Sequence, residues 1–134
     1  MENLESTLAI IKPDGLKNAM YIIDMIYKSG LTIKRYEVTR LNEEILKEHY
    51  AHLVDKTFYP SLEKFMLSDE VILMELVGVN AVETLRNLMG PTDSTKADKG
   101  TIRGEFGTDI QQNAIHGSDS IENAIIEIKR FFDR

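Results

Sequence analysis

Strand-forming and helix-forming stretches alternate along this chain, and that order alone confines it to a few α/β architectures. Ser6 to Lys12 is short, β-branched and apolar, and Pro13-Asp14-Gly15 stops it, which predicts a strand and a turn. From Ala19 to Ser29 the apolar residues Met20, Ile23, Ile26 and Tyr27 recur at helical spacing, and Gly30 supplies the end. Leu31 to Leu41 alternates instead, with Leu31, Ile33, Tyr36 and Val38 separated by polar residues. Its parity slips between Ile33 and Tyr36, which predicts a bulge or a bend in that strand.

Asn42, followed by Glu43 and Glu44, opens a helix predicted to run to about Val54, its acids lying where the helix dipole favours them. Ile45, Leu46, His49, Tyr50 and Leu53 share one face of it. Pro60 begins a short helix through Leu67, and Glu70 to Val77 reads as a strongly apolar strand. Asn80 with Glu83 has the pattern of a capping box for a helix ending near Met89-Gly90. Pro91 to Phe106 shows no periodicity and carries glycines, so a long loop is expected, and such a loop in a small domain is more often functional than idle. Ala114 to His116 reads as a short strand, and the last helix puts Ile121, Ala124, Ile125, Ile128, Phe131 and Phe132 on one stripe behind a Ser120 cap. No repeat or linker divides residues 1–134, so one domain is expected. The order is that of a ferredoxin-like α/β (α+β) fold, βαββαβ. It has a four-stranded, mostly antiparallel sheet covered on one face by helices, here with an added helical hairpin and a long loop.

A net charge of −6 disfavours nucleic acid as a partner, so any phosphate binding needs a local cluster of cations. The chain has no cysteine, which excludes disulfides and a thiolate nucleophile and suits a reducing cytosol. Met1 to Glu5 lacks the basic-then-apolar order of a signal peptide, and no apolar run approaches membrane-spanning length. A cytoplasmic location with no membrane partner is therefore expected.

Three cations stand beside breaks in the pattern: Lys12 at a strand end, Arg86 bordering the Ala81/Leu85/Leu88 stripe of its helix, and Arg103 in the long loop. Thr92 and Thr101 add hydroxyls there. Arginine forks and a lysine point charge clamp polyphosphates, though each residue alone also fits a solvated surface charge. Neither G-x-x-x-x-G-K-[ST] nor G-x-G-x-x-G occurs, so a bound nucleotide would be held by side chains. His49 and His52 have a helical metal-binding spacing, but the order around them is not H-E-x-x-H, and groove-lining or surface histidines are the simpler reading. Phe58-Tyr59-Pro60 is either core or an aromatic platform. His116, at a strand end before a capped helix, reads alone as a hydrogen-bonded structural histidine or as a catalytic one, and Glu127 as a rim carboxylate.

Taken together, these segments resemble nucleoside diphosphate kinases over nearly the whole chain. Thr7 to Gly15 (TLAIIKPDG) is similar to the family's first strand and K-P-D-G turn. Glu48 to Leu53, Phe58 to Leu62, Gly100 to Phe106 (GTIRGEF) and Asn113 to Ser120 (NAIHGSDS) resemble further family motifs, in the right order. The resemblance implies that His116 is the nucleophile phosphorylated on its pros nitrogen. It implies that Lys12, Tyr50, Arg86, Thr92, Arg103 and Asn113 line the phosphates and ribose. Phe58 would stack on the base with Leu62 and Ile110 nearby, while Ser118 and Glu127 would orient His116. The implied reaction is a ping-pong transfer of the γ-phosphate from a nucleoside triphosphate, usually ATP, to a nucleoside diphosphate, with broad base specificity. Mg²⁺ would arrive on the nucleotide, and self-association into a tetramer or hexamer is implied. A non-catalytic nucleotide-binding regulatory module is the alternative; retention of His116 with the whole cation set argues against it.

The chain departs from the family pattern in places. The segment from Gly15 to Ile22 is shorter than usual, which predicts a late or shifted first helix. Asp93-Ser94-Thr95 stands in place of Asn-Pro-Ala, and Lys99 replaces a proline, in a loop that helps build the family's subunit contacts. The chain closes at Phe132-Asp133-Arg134 without the usual tail, with Phe131 in the place of a frequent tryptophan.

Overall fold

A strand with consecutive apolar residues must be covered on both faces, and two strands here carry such runs. The computed structural model describes residues 4–133; Met1 to Asn3 of the polar N-terminal stretch, and Arg134, lie outside them. Strand β1 (Leu4–Ile11) buries Leu8, Ala9, Ile10 and Ile11, and β3 (Val71–Val79) buries every residue from Val71 to Leu76. With β2 (Thr32–Thr39) and β4 (Ile115–Gly117) they form one sheet in the order β2-β3-β1-β4, each neighbouring pair antiparallel.

Helices cover both faces, which corrects the expectation of one covered face. Ala9, Ile11, Met74 and Leu76 pack with Ile22 and Ile26 of α1 (Ala19–Lys28) and with Leu85 and Met89 of α4 (Ala81–Met89). Leu8, Ile10 and Leu73 point the other way, toward Leu46 of α2 (Glu43–His49), Leu62 and Met66 of α3 (Tyr59–Met66), and Ile128 and Phe131 of α6 (Ile121–Phe132). The period of two along a strand sends alternate residues to opposite sides, so a run without polar gaps requires two helical layers. Among the described residues no helix is long and apolar enough to cross a membrane.

The parity slip in β2 is a bulge: Ile33 pairs with Leu76 and Arg35 with Glu75, which leaves Lys34 as the extra residue. The bulge sets Arg35 against the buried Glu75. Arg35 Nε donates to Glu75 Oε1 at 2.6 Å and Nη1 to Asp133 Oδ1 at 2.9 Å, and the guanidinium lies 4.6 Å from the Phe132 ring. The end of α6 is thereby fastened to the sheet.

Several elements differ from expectation for identifiable reasons. The helix expected to reach Val54 stops at His49; Tyr50 leaves helical geometry (φ −104°, ψ 29°) and a 3₁₀ turn, Ala51–Leu53, follows. A 3₁₀ turn preserves i,i+3 spacing, so periodicity does not register the break. The Asn80–Glu83 capping box does not form. Asn80 sits in the left-handed region at φ 51°, and the Glu5 carboxylate accepts the Val82 N–H at 3.2 Å instead. The stretch 91–106 is not all loop: a 3₁₀ turn, Ser94–Lys96, and α5 (Ile102–Phe106) interrupt it, both too short to show a period. Asp93 caps the first by accepting from the Thr95 N–H at 3.0 Å, so the departing Asp93-Ser94-Thr95 sequence supplies its own stiffening. In α6, Ala124, Ile128 and Phe131 are buried while Ile121 and Ile125 face solvent, so the apolar stripe is wider than the contact. Ser120 caps this helix as expected, accepting from the Asn123 N–H at 3.1 Å.

The turn after β1 is a 3₁₀ segment, Pro13–Asn18, and α1 begins directly behind it. Lys12 N–H donates to the Ala114 carbonyl at 2.9 Å, and a Cβ on Gly15 would lie 2.5 Å from that same oxygen. Backbone cannot yield as a side-chain tip can. Gly15→Ala is expected to destabilise the fold by about 1–3 kcal/mol, read as a lower urea midpoint; an unchanged midpoint would refute the close approach.

Candidate active site

The turn after β1 and the approach to β4 hold each other. Ala114 has a positive φ of 74°, unusual for a residue with a Cβ, and Asp14 Oδ2 accepts its N–H at 3.0 Å. With the Lys12 bond to the Ala114 carbonyl, this clamps the residues on either side of the strand entry. The strand runs one residue later than the expected Ala114 to His116, so His116 is the middle residue of β4, opposite Ile10 of β1, rather than its end.

His116 Nε2–H donates to Glu127 Oε1 at 2.8 Å, and Ser118 Oγ donates to the same oxygen at 2.8 Å. Ser118, fully buried, accepts in turn from the Leu8 N–H at 3.4 Å. Burial alone would raise the Glu127 carboxyl, but the His116 and Ser118 hydrogen bonds outweigh it and hold the group below its ordinary range. An ionised Glu127 can only accept, so the proton on the His116 ring lies at Nε2 and the lone pair at Nδ1.

Lys12 and Arg103 are held by backbone and amide oxygens. Lys12 Nζ donates to the Gln111 carbonyl at 2.7 Å and to Asn113 Oδ1 at 2.9 Å. Burial lowers its pKa to about 8, with Asp14 opposing and Arg103 adding to the shift. Asn113 Nδ2 donates to the Thr92 and Ile110 carbonyls at 2.9 and 3.2 Å, so this buried amide ties two loops to the lysine. Arg103 Nη1 and Nη2 donate to the Gly90 and Ile115 carbonyls at 3.2 and 2.8 Å, while its Nε is buried without a partner. Burial, then the Arg86 charge, lowers the Arg103 pKa to about 10. A desolvated guanidinium with a second cation beside it is suited to an anion.

These side chains converge on a cavity of about 900 Å³. Lys12, Tyr50, Phe58, Leu62, Arg86, Thr92, Arg103, Ile110, Asn113, His116 and Glu127 all line it, although no two sequence segments that supply them need have met. Ser118 alone of the expected set stays behind the wall, against Glu127. Phe58 and Ile110 are exposed, on the stretches that precede α3 and β4, whereas Tyr59 is core. Burial pushes the Tyr50 phenol up, and the Glu127 charge adds to it. Thr101 is elsewhere: its Oγ1 donates to the Asp98 carbonyl at 2.6 Å and caps α5.

His49 and His52 do not form a metal pair, since His49 is buried and His52 exposed. His49 instead packs its ring against His116, with centroids 4.8 Å apart and planes at 86°. Its place on the apolar face with Ile45 and Leu46 signalled burial but not this contact. Arg130 also lines the cavity, and nothing in the sequence marks it out.

A histidine with a carboxylate at Nε2, in one cleft with a lysine and two arginines, defines a site suited to phosphoryl transfer through histidine, built on a ferredoxin-like sheet. Known proteins are similar along nearly the whole chain. The profile of the family described as Nucleoside diphosphate kinase matches residues 5–134. The nucleoside diphosphate kinase of Anaeromyxobacter dehalogenans (strain 2CP-C) is 46% identical over 131 residues, covering 96% of this chain and 89% of that protein. That of Streptococcus thermophilus (strain CNRZ 1066) is 42% identical over 135 residues, covering 96% and 98%. Among solved structures, the Aquifex aeolicus nucleoside diphosphate kinase superposes with a TM-score of 0.91 at 37% identity, covering 97% of this chain and 96% of that one. A halophilic nucleoside diphosphate kinase from Halobacterium salinarum, solved in complex with CDP, gives 0.93 at 38% identity, covering 98% and 90%. The chain belongs to the nucleoside diphosphate kinase family.

Proposed function

We propose that this chain moves the γ-phosphate of a nucleoside triphosphate, ATP as the usual donor, to a nucleoside diphosphate through His116. The observation that carries the reading is the His116 Nε2–Glu127 hydrogen bond of 2.8 Å, which leaves Nδ1 as the only lone-pair nitrogen of the ring. Nδ1 attacks the γ-phosphorus, the bond from that phosphorus to the bridging oxygen breaks, and the nucleoside diphosphate departs with the electron pair. The ring keeps its Nε2 proton and becomes a phosphorylated cation beside the Glu127 carboxylate. A terminal oxygen of a second nucleoside diphosphate then attacks the same phosphorus and restores the neutral ring. Lys12, Arg86 and Arg103 offset charge on the transferring group. Tyr50, Thr92 and Asn113 line the phosphate and ribose end.

The donors present do not fit a resident Mg²⁺. Among the described residues the one grouping of metal-type ligands is His49, His116 and Glu127, two imidazoles and one carboxylate, whereas Mg²⁺ selects oxygen. Mg²⁺ therefore belongs to the nucleotide's phosphates. Phe58, with Leu62 and Ile110, offers a π face and apolar edges rather than a hydrogen-bonding edge, which supports broad base specificity. Exposed Met20 and Tyr27 on α1 and Tyr36 and Val38 on the β2 edge support self-association into a tetramer or hexamer, which light scattering would read. The lack of cysteine supports a cytoplasmic location.

Incubation with γ-labelled ATP is expected to leave acid-labile label on the protein, chased off by a nucleoside diphosphate. A folded protein that takes up no label would overturn the reading. Lys12 also predicts a pH dependence. Its folded pKa of about 8 lies below the ordinary 10.5, so the cation is lost as pH rises through 8. Affinity for a nucleoside diphosphate is expected to fall between pH 7.5 and 9 on the order of the loss of one charge contact. Folding stability changes in the opposite sense: between about 8 and 10.5 the unfolded chain binds the extra proton, so stability rises with pH. Calorimetric titration across that range checks the first, and Lys12→Arg should remove the dependence.

A further inference from the structure

The reaction above gives no role to the imidazole that packs on His116. A single hydrogen bond at Nε2 leaves the His116 ring free to pivot about that contact, and a pivot displaces Nδ1 from the line of attack. His49 supplies the second constraint. Its ring stands at 86° to His116 with centroids 4.8 Å apart, and Phe131 and Tyr50 box it at 5.0 and 4.7 Å. On the remaining edge, Arg130 Nη1 lies 2.9 Å from His49 Nδ1. A guanidinium only donates, so Nδ1 is the acceptor and the His49 proton is placed on Nε2.

We propose that Arg130 is a positioning residue for His116: by donating to His49 Nδ1 it fixes one tautomer of a buried neutral imidazole, whose ring in turn holds the plane of the nucleophilic one. The proposal rests on the phosphohistidine reading above. The surroundings are consistent with it. Burial above all, with the Arg130 guanidinium adding to it, holds the His49 pKa down to about 3 although Glu127 opposes them. Arg130 is itself mostly buried, its side chain 15% exposed, and Nε forms an ion pair with Glu48 Oε1 at 3.7 Å, beyond hydrogen-bond range.

The test combines a tautomer measurement with single-turnover kinetics on the intact protein. Nitrogen-15 NMR of the histidine side chains is expected to show His49 protonated at Nε2 in the wild type and a mixture of tautomers in Arg130→Leu. Phosphorylation by ATP in Arg130→Leu is expected to slow about ten- to a hundredfold, with half-saturation by ATP unchanged. Arg130→Lys, which keeps one donor, should recover most of the rate. Three results overturn the proposal: His49 protonated at Nδ1 in the wild type, Arg130→Leu labelled at the wild-type rate, or a loss confined to ATP affinity, which would make Arg130 a nucleotide contact. A wild type that takes up no label sinks the phosphohistidine reading and the positioning role with it. A labelled wild type with an unaffected Arg130→Leu sinks the positioning role alone. The wild-type tautomer needs no variant, so a poorly folded Arg130→Leu leaves the proposal open to refutation.

Discussion

His116→Ala is expected to abolish uptake of the γ-phosphate, a loss of at least about 10⁴-fold in turnover. Every step of the transfer passes through Nδ1, and no neighbouring group can take its place. His49 turns its lone pair to Arg130 at 2.9 Å, and burial holds it neutral. The Tyr50 phenol is pushed up by burial, so it supplies no phenolate. The fold should survive, because the His116 side chain is 23% exposed and Glu127 keeps its hydrogen bond from Ser118. Loss of labelling together with an unchanged circular dichroism spectrum and unfolding midpoint is therefore the result to look for. His116→Gln should be equally inactive, since a carboxamide nitrogen has no available lone pair. Residual labelling of His116→Ala above background would place the nucleophile elsewhere.

Arg103→Met is expected to lower turnover by about 10²–10³ and also to weaken the fold. The guanidinium is committed at two corners, to the Gly90 and Ile115 carbonyls, and each of those nitrogens keeps a second N–H on a residue that lines the cavity. Removing it takes a preorganised charge from the transferring group and orphans two backbone acceptors, one of them in the strand that carries His116. The structural loss is about 1–3 kcal/mol, visible in urea unfolding without nucleotide. Arg103→Lys should restore little, because one ammonium cannot span both carbonyls and still present a third donor. Full activity in Arg103→Lys would show that only the charge matters at this position.

Much of this site was legible before any coordinates. Lys12 stood at a strand end before a turn, Arg103 in a segment without period, and His116 between a strand and a capped helix. The structure brings those positions to one cavity. Other features left no trace in the pattern. The break at Tyr50 was hidden because α-helical and 3₁₀ turns share the i,i+3 spacing. The Asn80–Glu83 box does not form, and an N–H of that helix start, that of Val82, is taken by Glu5, 77 residues away. Asn113 was expected beside a ribose, and it proves to hold Lys12, Thr92 and Ile110 together as well, which required three loops to meet.

Local chemistry in the sequence by itself determined the four strands and the longer helices and marked an irregularity, a bulge or a bend, in β2. Those properties depend on neighbours within a few positions, and the sequence lists those neighbours. Only the tertiary structure decided that both sheet faces are covered, that His116 and Ser118 donate to one Glu127 oxygen, and that Arg130 reaches His49 across 81 residues. The physical reason is that a hydrogen bond has a reach of about 3 Å, so a partner is chosen by where packing sets two elements, not by where they lie along the chain.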